Sequence, residues 1–257
     1  MEIIKSKENK LIKDLKKLKQ KKYRDSEEKF LAEGVKFLDY LQYIPEMIII
    51  REDTLENNNY LDKISKFNVK KIFIDKKLFS ELTSQESSQG ILILYKKKKF
   101  DIKNLSDDIV ILDDVSDPGN LGTIIRICDA ADFKDLILTK NSVDAYNEKV
   151  IRASMGSILN INIIYMEREE ILKTLKENKY HSFATYLDKN SLQYNKIEVK
   201  NKNAIILGNE ARGVGKDFLK IAETKTIIPI LGNAESLNVA VASALVLYKF
   251  RELQNYF

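Results

Sequence analysis

The chain has 257 residues, enough for two ordinary domains, and its 44% of hydrophobic residues can supply proper cores. One cysteine, Cys128, excludes an internal disulfide, and with one histidine, His181, there is no Cys/His cluster to hold zinc, so no metal is expected. The net charge of +5 sits toward the N-terminus: residues 1–106 carry 24 Lys and Arg against 17 Asp and Glu, residues 107–257 carry 19 against 21, and residues 1–24 alone hold ten basic and three acidic residues.

No apolar run approaches the roughly 18 residues needed to cross a bilayer, and the start, MEIIKSKENK, lacks the apolar core of a signal peptide. A cytoplasmic location is the expectation. Ile4, Leu11, Leu15 and Leu18 share one helical stripe flanked by lysines, which predicts an amphipathic helix over the basic segment. Such a helix suits contact with a polyanion, or it is a solvated face of a lysine-rich chain.

The runs FLAEG (30–34), EMIII (46–50), KKIFID (70–75) and GILILY (90–95) predict strands, with helical pieces in VKFLDYLQ (35–42), LDKISKF (61–67) and KLFSELTS (77–84). Together they predict a small α/β domain ending near Tyr95. KKKKFDIKNLSDD (96–108) carries charge without periodicity and reads as a linker. Beyond it, IVILDDV (109–115), LILT (136–139), NINIIY (160–165), SFATYL (182–187), AIILG (204–208) and TIIPI (226–230) are short, continuously apolar runs. Continuous apolarity predicts buried parallel strands with helices on both faces, in a doubly wound α/β domain. Ligands of such sheets bind beyond the carboxyl ends of the strands, so the following turns are where chemistry is expected.

Two phosphate motifs fail. Gly215-Lys216 would need glycine at 210 and Ser or Thr at 217 for a P-loop, but Glu210 and Asp217 stand there, and no G-x-G-x-x-G follows a strand. In SDPGNLGTIIRICDA, Asp117 can cap a helix with Pro118 at its first position. Gly119, Gly122 and Arg126 then fall at i, i+3 and i+7, while Leu121, Ile125 and Cys128 form an apolar face that makes the cysteine a core residue rather than a nucleophile. A glycine inside a helix costs about 0.8–1 kcal/mol relative to alanine, so Gly122 calls for a close neighbour: helix, loop or ligand. NEARGVG sets Glu210 and Arg212 in a glycine-flanked turn. The third turn runs from Gly232 to Asn238; either Ser236 or Asn238 can cap the following helix, but the polar run is longer than one cap requires.

Three turns at the ends of three strands, DPGNLGTIIR (117–126), LGNEARGV (207–214) and IPILGNAESLNVAVASAL (228–245), together resemble the motifs of the SpoU/TrmH family of RNA ribose 2′-O-methyltransferases, members of the knotted SPOUT class. IRASMGS (151–157) is also similar to a family segment, and SKENKLIKDLKKLKQKKYRDSEEKFLAEG resembles, less specifically, a ribosomal-protein-like substrate-binding domain often fused to this family. The resemblance implies an RNA substrate-binding α/β domain over 1–96, a linker over 97–106 and a trefoil-knotted parallel-sheet methyltransferase domain over 107–257. It also implies S-adenosylmethionine as cofactor, held by Thr185, Leu207, Gly208, Ile228, Ile230 and Leu237. The family's functional positions fall on Asn120, Arg126, Glu210, Ser236 and Asn238. By the same resemblance the partners are RNA, most of all ribosomal RNA, and a second copy of the chain in a homodimer, with no DNA or membrane. A transfer-RNA methyltransferase and a non-catalytic RNA-binding assembly factor are the other readings, and a drug-resistance role is compatible with the same motifs.

Overall fold

The computed structural model describes residues 3–56 and 58–256, and its contacts divide into two compact units: Met1–Lys99 with Tyr146–Leu159, and Phe100–Ala145 with Asn160–Phe257.

In the first unit, strands β1 (Ile3–Ile4), β2 (Lys29–Glu33), β3 (Met47–Arg51), β4 (Lys70–Ile74) and β5 (Ile91–Lys96) form a mixed sheet in the order β1-β4-β3-β5-β2. Strands β1, β4 and β3 are parallel, and β5 runs antiparallel to both its neighbours. Helices α1 (Lys10–Lys17), α2 (Lys21–Ser26), α3 (Asn58–Ser65) and α4 (Lys76–Leu82) connect them. Ile12, Leu15 and Leu18 pack with Leu78 and Phe79 onto Ile49, Ile74, Leu92 and Leu94, which closes one face of the sheet. The predicted helix across the basic segment is shorter than its apolar stripe. Ile4 belongs to β1 and pairs beside Ile74, and α1 begins only after Asn9, whose side chain accepts from Leu11 N at 3.0 Å. Strand and helix lie against the same core, so Ile4, Leu11, Leu15 and Leu18 do share a face, by a route that helical spacing does not describe. VKFLDYLQ forms only a 3-10 turn, Val35–Asp39.

The basic segment is less available than its charge implies. Lys7 and Lys16 both bind Glu81, Lys13 binds Glu8, and Lys17 binds Asp14 at 2.9 Å. Arg24 is 5% exposed and donates to the carbonyls of Leu18 and Lys19 at 2.8 and 2.7 Å, closing the end of α1. Exposed lysine pairs are worth about 0–1 kcal/mol and can be traded for a polyanion; the buried arginine cannot, so Arg24 leaves the set of expected phosphate contacts.

The second unit is a seven-stranded sheet of β6 (Asp108–Asp113), β7 (Asp135–Thr139), β8 (Asn162–Met166), β9 (His181–Thr185), β10 (Leu192–Gln193), β11 (Asn203–Gly208) and β12 (Thr224–Ile227). Their order is β10-β12-β9-β11-β6-β7-β8, and every pairing is parallel. Only β10, two exposed residues at the edge, lacks an apolar run that predicts it. Its helices are α5 (Pro118–Ala130), α7 (Arg168–Glu177), α8 (Lys216–Ile221) and α9 (Val239–Leu253); α6 (Glu148–Ala153) groups with the first unit. Ile171 and Leu175 of α7 and Phe218 of α8 cover Ile109, Ile111, Ile137 and Ile206 on one face. On the other, α5 packs on α9, and Phe250 meets Phe183 edge-on at 4.8 Å between centroids. The segment with IRASMGS follows β7 in the chain, yet Tyr146 packs 4.9 Å from Phe30 and the Tyr40 hydroxyl donates to the Met155 carbonyl at 3.3 Å.

The end of α9 is tied down by Arg251, 4% exposed, which donates to Asp108 Oδ2 at 2.6 Å and to the carbonyls of Ala131 and Asp132 at 2.7 and 2.8 Å. Strands β6, β11, β9 and β12 occupy consecutive or neighbouring places in the sheet, so the turns beyond their carboxyl ends form one row. All three motif turns leave from that row.

Candidate functional site

A cavity of about 580 Å³ opens at this edge of the second unit. All six expected cofactor positions, Thr185, Leu207, Gly208, Ile228, Ile230 and Leu237, line it, and so do Glu210 and Ser236. Asn120, Arg126 and Asn238 lie outside its lining.

The turn after β11 is built by its own side chain and glycines. Asn209 exchanges backbone hydrogen bonds with Gly213 at 3.1 and 2.9 Å, and its Oδ1 accepts from the amides of Ala211 and Arg212 at 2.9 and 3.1 Å. Gly213 takes φ +67°, where a side chain is strained. Gly208 is required by the same turn: a Cβ there would lie 2.1 Å from the Gly213 carbonyl carbon. Buried Asp113, at the end of β6, accepts from Gly215 N at 2.7 Å and from Arg168 Nε at 3.2 Å, pinning the far side of the turn.

Around this turn the polar residues form a relay across three loops. The Glu210 carboxylate accepts from Asn120 Nδ2 at 2.9 Å, and at 3.3–3.4 Å from the Ser116 hydroxyl and the amides of Ser116 and Asp117. Asn120 Oδ1 in turn accepts from Asn238 Nδ2 at 2.9 Å. Asn238 Oδ1 caps α9, accepting from the amides of Ala240 and Val241 at 2.9 and 3.3 Å. Each amide uses its oxygen and nitrogen in opposite directions, so the carboxylate at one end and the helix amides at the other fix both orientations. Asp117 caps α5 with Pro118 at its first position, as the sequence predicts, and accepts from Asn120 N at 2.7 Å, which sets where Asn120 begins.

The sequence leaves the cap of α9 open between Ser236 and Asn238; the structure gives it to Asn238, while Ser236 is exposed on the cavity lip without a hydrogen bond among the described residues. The Arg126 side chain is exposed and has no hydrogen bond or ion pair among the described residues. The expected face of Gly119, Gly122 and Arg126 is not one surface: Gly122 is buried and does not line the cavity, whereas Gly119 and Arg126 are exposed. Cys128 is fully buried, and burial pushes its thiol far up, which makes it inert. Among the described residues, no group of three or more His, Cys, Asp and Glu is placed to hold a metal. Sequence reasoning missed Ser116, Asn209, Asp113 and Arg168, which arrange the loops. The Asn-to-Gly spacing of the 209–213 turn was a usable signal; the ion pair of Asp113 with Arg168, far apart in the chain, was not.

Burial acts to raise the pKa of Glu210, but the hydrogen bonds from Asn120, Asp117 and Ser116 together outweigh it and hold the carboxyl below its ordinary value of 4.5. A depressed carboxyl contributes stability that is present above 4.5 and lost as pH falls through the lowered folded value. Glu210→Gln puts an amide nitrogen among donors. In denaturant unfolding the variant is expected to be less stable than the parent at pH 7, with a gap that narrows as pH falls below 4.5; a pH-independent gap would contradict the arrangement.

The chain matches the SpoU rRNA methylase family over residues 107–248 and the MRM3-like substrate binding domain over residues 9–93. It is 31% identical to the 23S rRNA (guanosine(2553)-2′-O)-methyltransferase RlmP of Bacillus subtilis, over 98% of this chain and 100% of that one. It is 30% identical to the tRNA (guanosine(18)-2′-O)-methyltransferase of Aquifex aeolicus, over 57% of this chain and 70% of that one. Among solved structures, the AdoMet-bound rRNA methyltransferase from Sinorhizobium meliloti superposes with a TM-score of 0.85 at 28% identity, covering 98% of this chain and 97% of that one. The parallel sheet, the three motif turns gathered at its edge and these matches make one conclusion: the chain belongs to the SpoU rRNA methylase family.

Proposed function

We propose that the protein transfers the methyl group of S-adenosylmethionine to a ribose 2′-hydroxyl in ribosomal RNA, with the second unit holding cofactor and chemistry and the first unit binding RNA. The observation that carries this reading is the convergence of all six expected cofactor positions on one cavity beside the Glu210 relay. The cavity fits the cofactor: its volume lies in the range of about 300–1,000 Å³ usual for small-molecule sites, and Leu207, Ile228, Ile230 and Leu237 offer apolar contact to the adenosine.

When bound, S-adenosylmethionine supplies an electrophilic methyl group on a sulfonium whose charge is dispersed on transfer, so a preorganised, water-poor site favours the reaction. A ribose hydroxyl is a poor nucleophile and must be oriented as its proton leaves. A guanidinium is a poor proton acceptor, so Arg126 is not the base. It binds the neighbouring phosphate and stabilises the developing alkoxide, and that phosphate or a water takes the proton. Glu210, already filled with donors and held ionised, is a weak base; it positions Asn120, and through it Asn238, against the ribose. Ser236, unbonded on the cavity lip, is available to the ribose or the cofactor.

Ribosomal rather than transfer RNA is favoured because the match to an rRNA enzyme runs through both units, whereas the tRNA enzyme matches 57% of the chain. A guanosine of 23S rRNA is therefore the first candidate target. The intact relay argues against a non-catalytic assembly factor. We further infer the trefoil knot of the family, with which the packing of α9 on α5 is consistent. A homodimer is supported by Val241, Leu245 and Tyr248, which lie at i, i+4 and i+7 on α9 and are 50%, 39% and 43% exposed. Among the described residues no helix is long and apolar enough to cross a membrane, and a ribosomal substrate is consistent with work in the cytoplasm.

Arg126→Ala is expected to lower methyl transfer to ribosomal RNA by at least about 100-fold while cofactor affinity measured by calorimetry stays within a few-fold; retained turnover would remove Arg126 from the chemistry. Val241→Asp combined with Leu245→Asp is expected to convert a dimer of the 29.7 kDa chain to monomer in sedimentation. A parent that sediments as a monomer would refute the dimer.

A further inference from the structure

Four of the seven arginines are spent inside the protein: Arg24 on backbone carbonyls, Arg51 on Asp53, Arg168 on Asp113 and Asp114, and Arg251 on Asp108. The side chains of Arg126, Arg152 and Arg212 are exposed and have no hydrogen bond or ion pair among the described residues. Of these three, Arg212 alone lines the 580 Å³ cavity, where it is the single cation beside two acids, Glu210 and Glu235.

We infer that Arg212 binds the α-carboxylate of S-adenosylmethionine, an assignment that rests on reading the cavity as the cofactor site. The cofactor brings three charges: a sulfonium, an ammonium and a carboxylate. A guanidinium repels the first two and pairs with the third through two parallel N–H···O bonds. Neither acid lining the cavity can take that role, since Glu210 is held ionised by its donors and Glu235 repels a carboxylate. The Arg212 backbone is preorganised for the task, with its amide held by Asn209 Oδ1 at 3.1 Å and Gly213 locked behind it at φ +67°. Ordering the turn is thus already done, and only the side chain loses freedom on binding. A phosphate of the RNA is the competing anion. Arg126, unpaired and outside the cavity lining, is better placed for it.

The test is calorimetry on the full chain, parent and Arg212→Ala, with S-adenosylmethionine and with its decarboxylated analogue. Because the Arg212 side chain makes no hydrogen bond or ion pair among the described residues, and alanine keeps the backbone amide that Asn209 holds, the variant should fold as the parent does, checked by an unchanged unfolding midpoint. The parent is expected to prefer the complete cofactor by about tenfold or more, the worth of a charge-assisted hydrogen bond. Arg212→Ala should lose that preference while binding the decarboxylated analogue at least as tightly as the parent does, since the repulsion of its two cationic groups is removed, and Arg212→Lys should restore part of the preference. An undiminished preference in Arg212→Ala overturns the inference; if the same variant also binds RNA more weakly, Arg212 is a phosphate contact. A parent that binds neither ligand overturns the cofactor reading of the cavity itself, and the inference with it.

Discussion

The side chain of Asn238 stands where two demands meet. The start of α9 leaves amides without helical partners, and Asn238 Oδ1 satisfies two of them, a cap worth about 1 kcal/mol in ordinary helices. Its nitrogen is then forced outward, where it meets Asn120 Oδ1 and through Asn120 the Glu210 carboxylate. Three loops that are 118 and 90 residues apart in the chain are thereby held by two amides and one carboxylate. The parallel order β12-β9-β11-β6 makes this possible, because it brings the ends of the strands that the three loops leave into one row before any side chain is placed.

That arrangement divides the charged groups by task. Glu210 is surrounded by donors that hold its carboxyl below the ordinary value, and in the proposed reading its part is geometric. Arg126 emerges from a capped, packed helix with no side-chain partner among the described residues, as the proposed phosphate contact requires. Buried ion pairs such as Arg251 with Asp108 do the opposite work: they spend charge to anchor an element and are closed to ligands. Separating engaged from unengaged cations is what turns a list of basic residues into a site.

Much of this was legible in the sequence. Continuous apolar runs predicted the parallel strands of the second unit because both faces are covered, and Asp117-Pro118 predicted the start of α5. The site residues became legible by resemblance rather than by spacing, since no local pattern says that Asn120 will meet Asn238. The failures have physical causes. Ile4 reads as helical because a strand and a helix can present apolar residues to the same core. The basic N-terminal segment overstated its free charge, because Glu81, which neutralises two of its lysines, lies far away in sequence. The grouping of Tyr146–Leu159 with the first unit was likewise invisible, being a matter of tertiary packing alone.

The most direct measurement is a map of ribose 2′-O-methylation across total RNA from cells with and without the gene. Loss of one methyl group in 23S rRNA, restored when the gene is returned, is the expected result. An unchanged ribosomal pattern, or a loss confined to transfer RNA, would contradict the assignment of ribosomal RNA as the substrate.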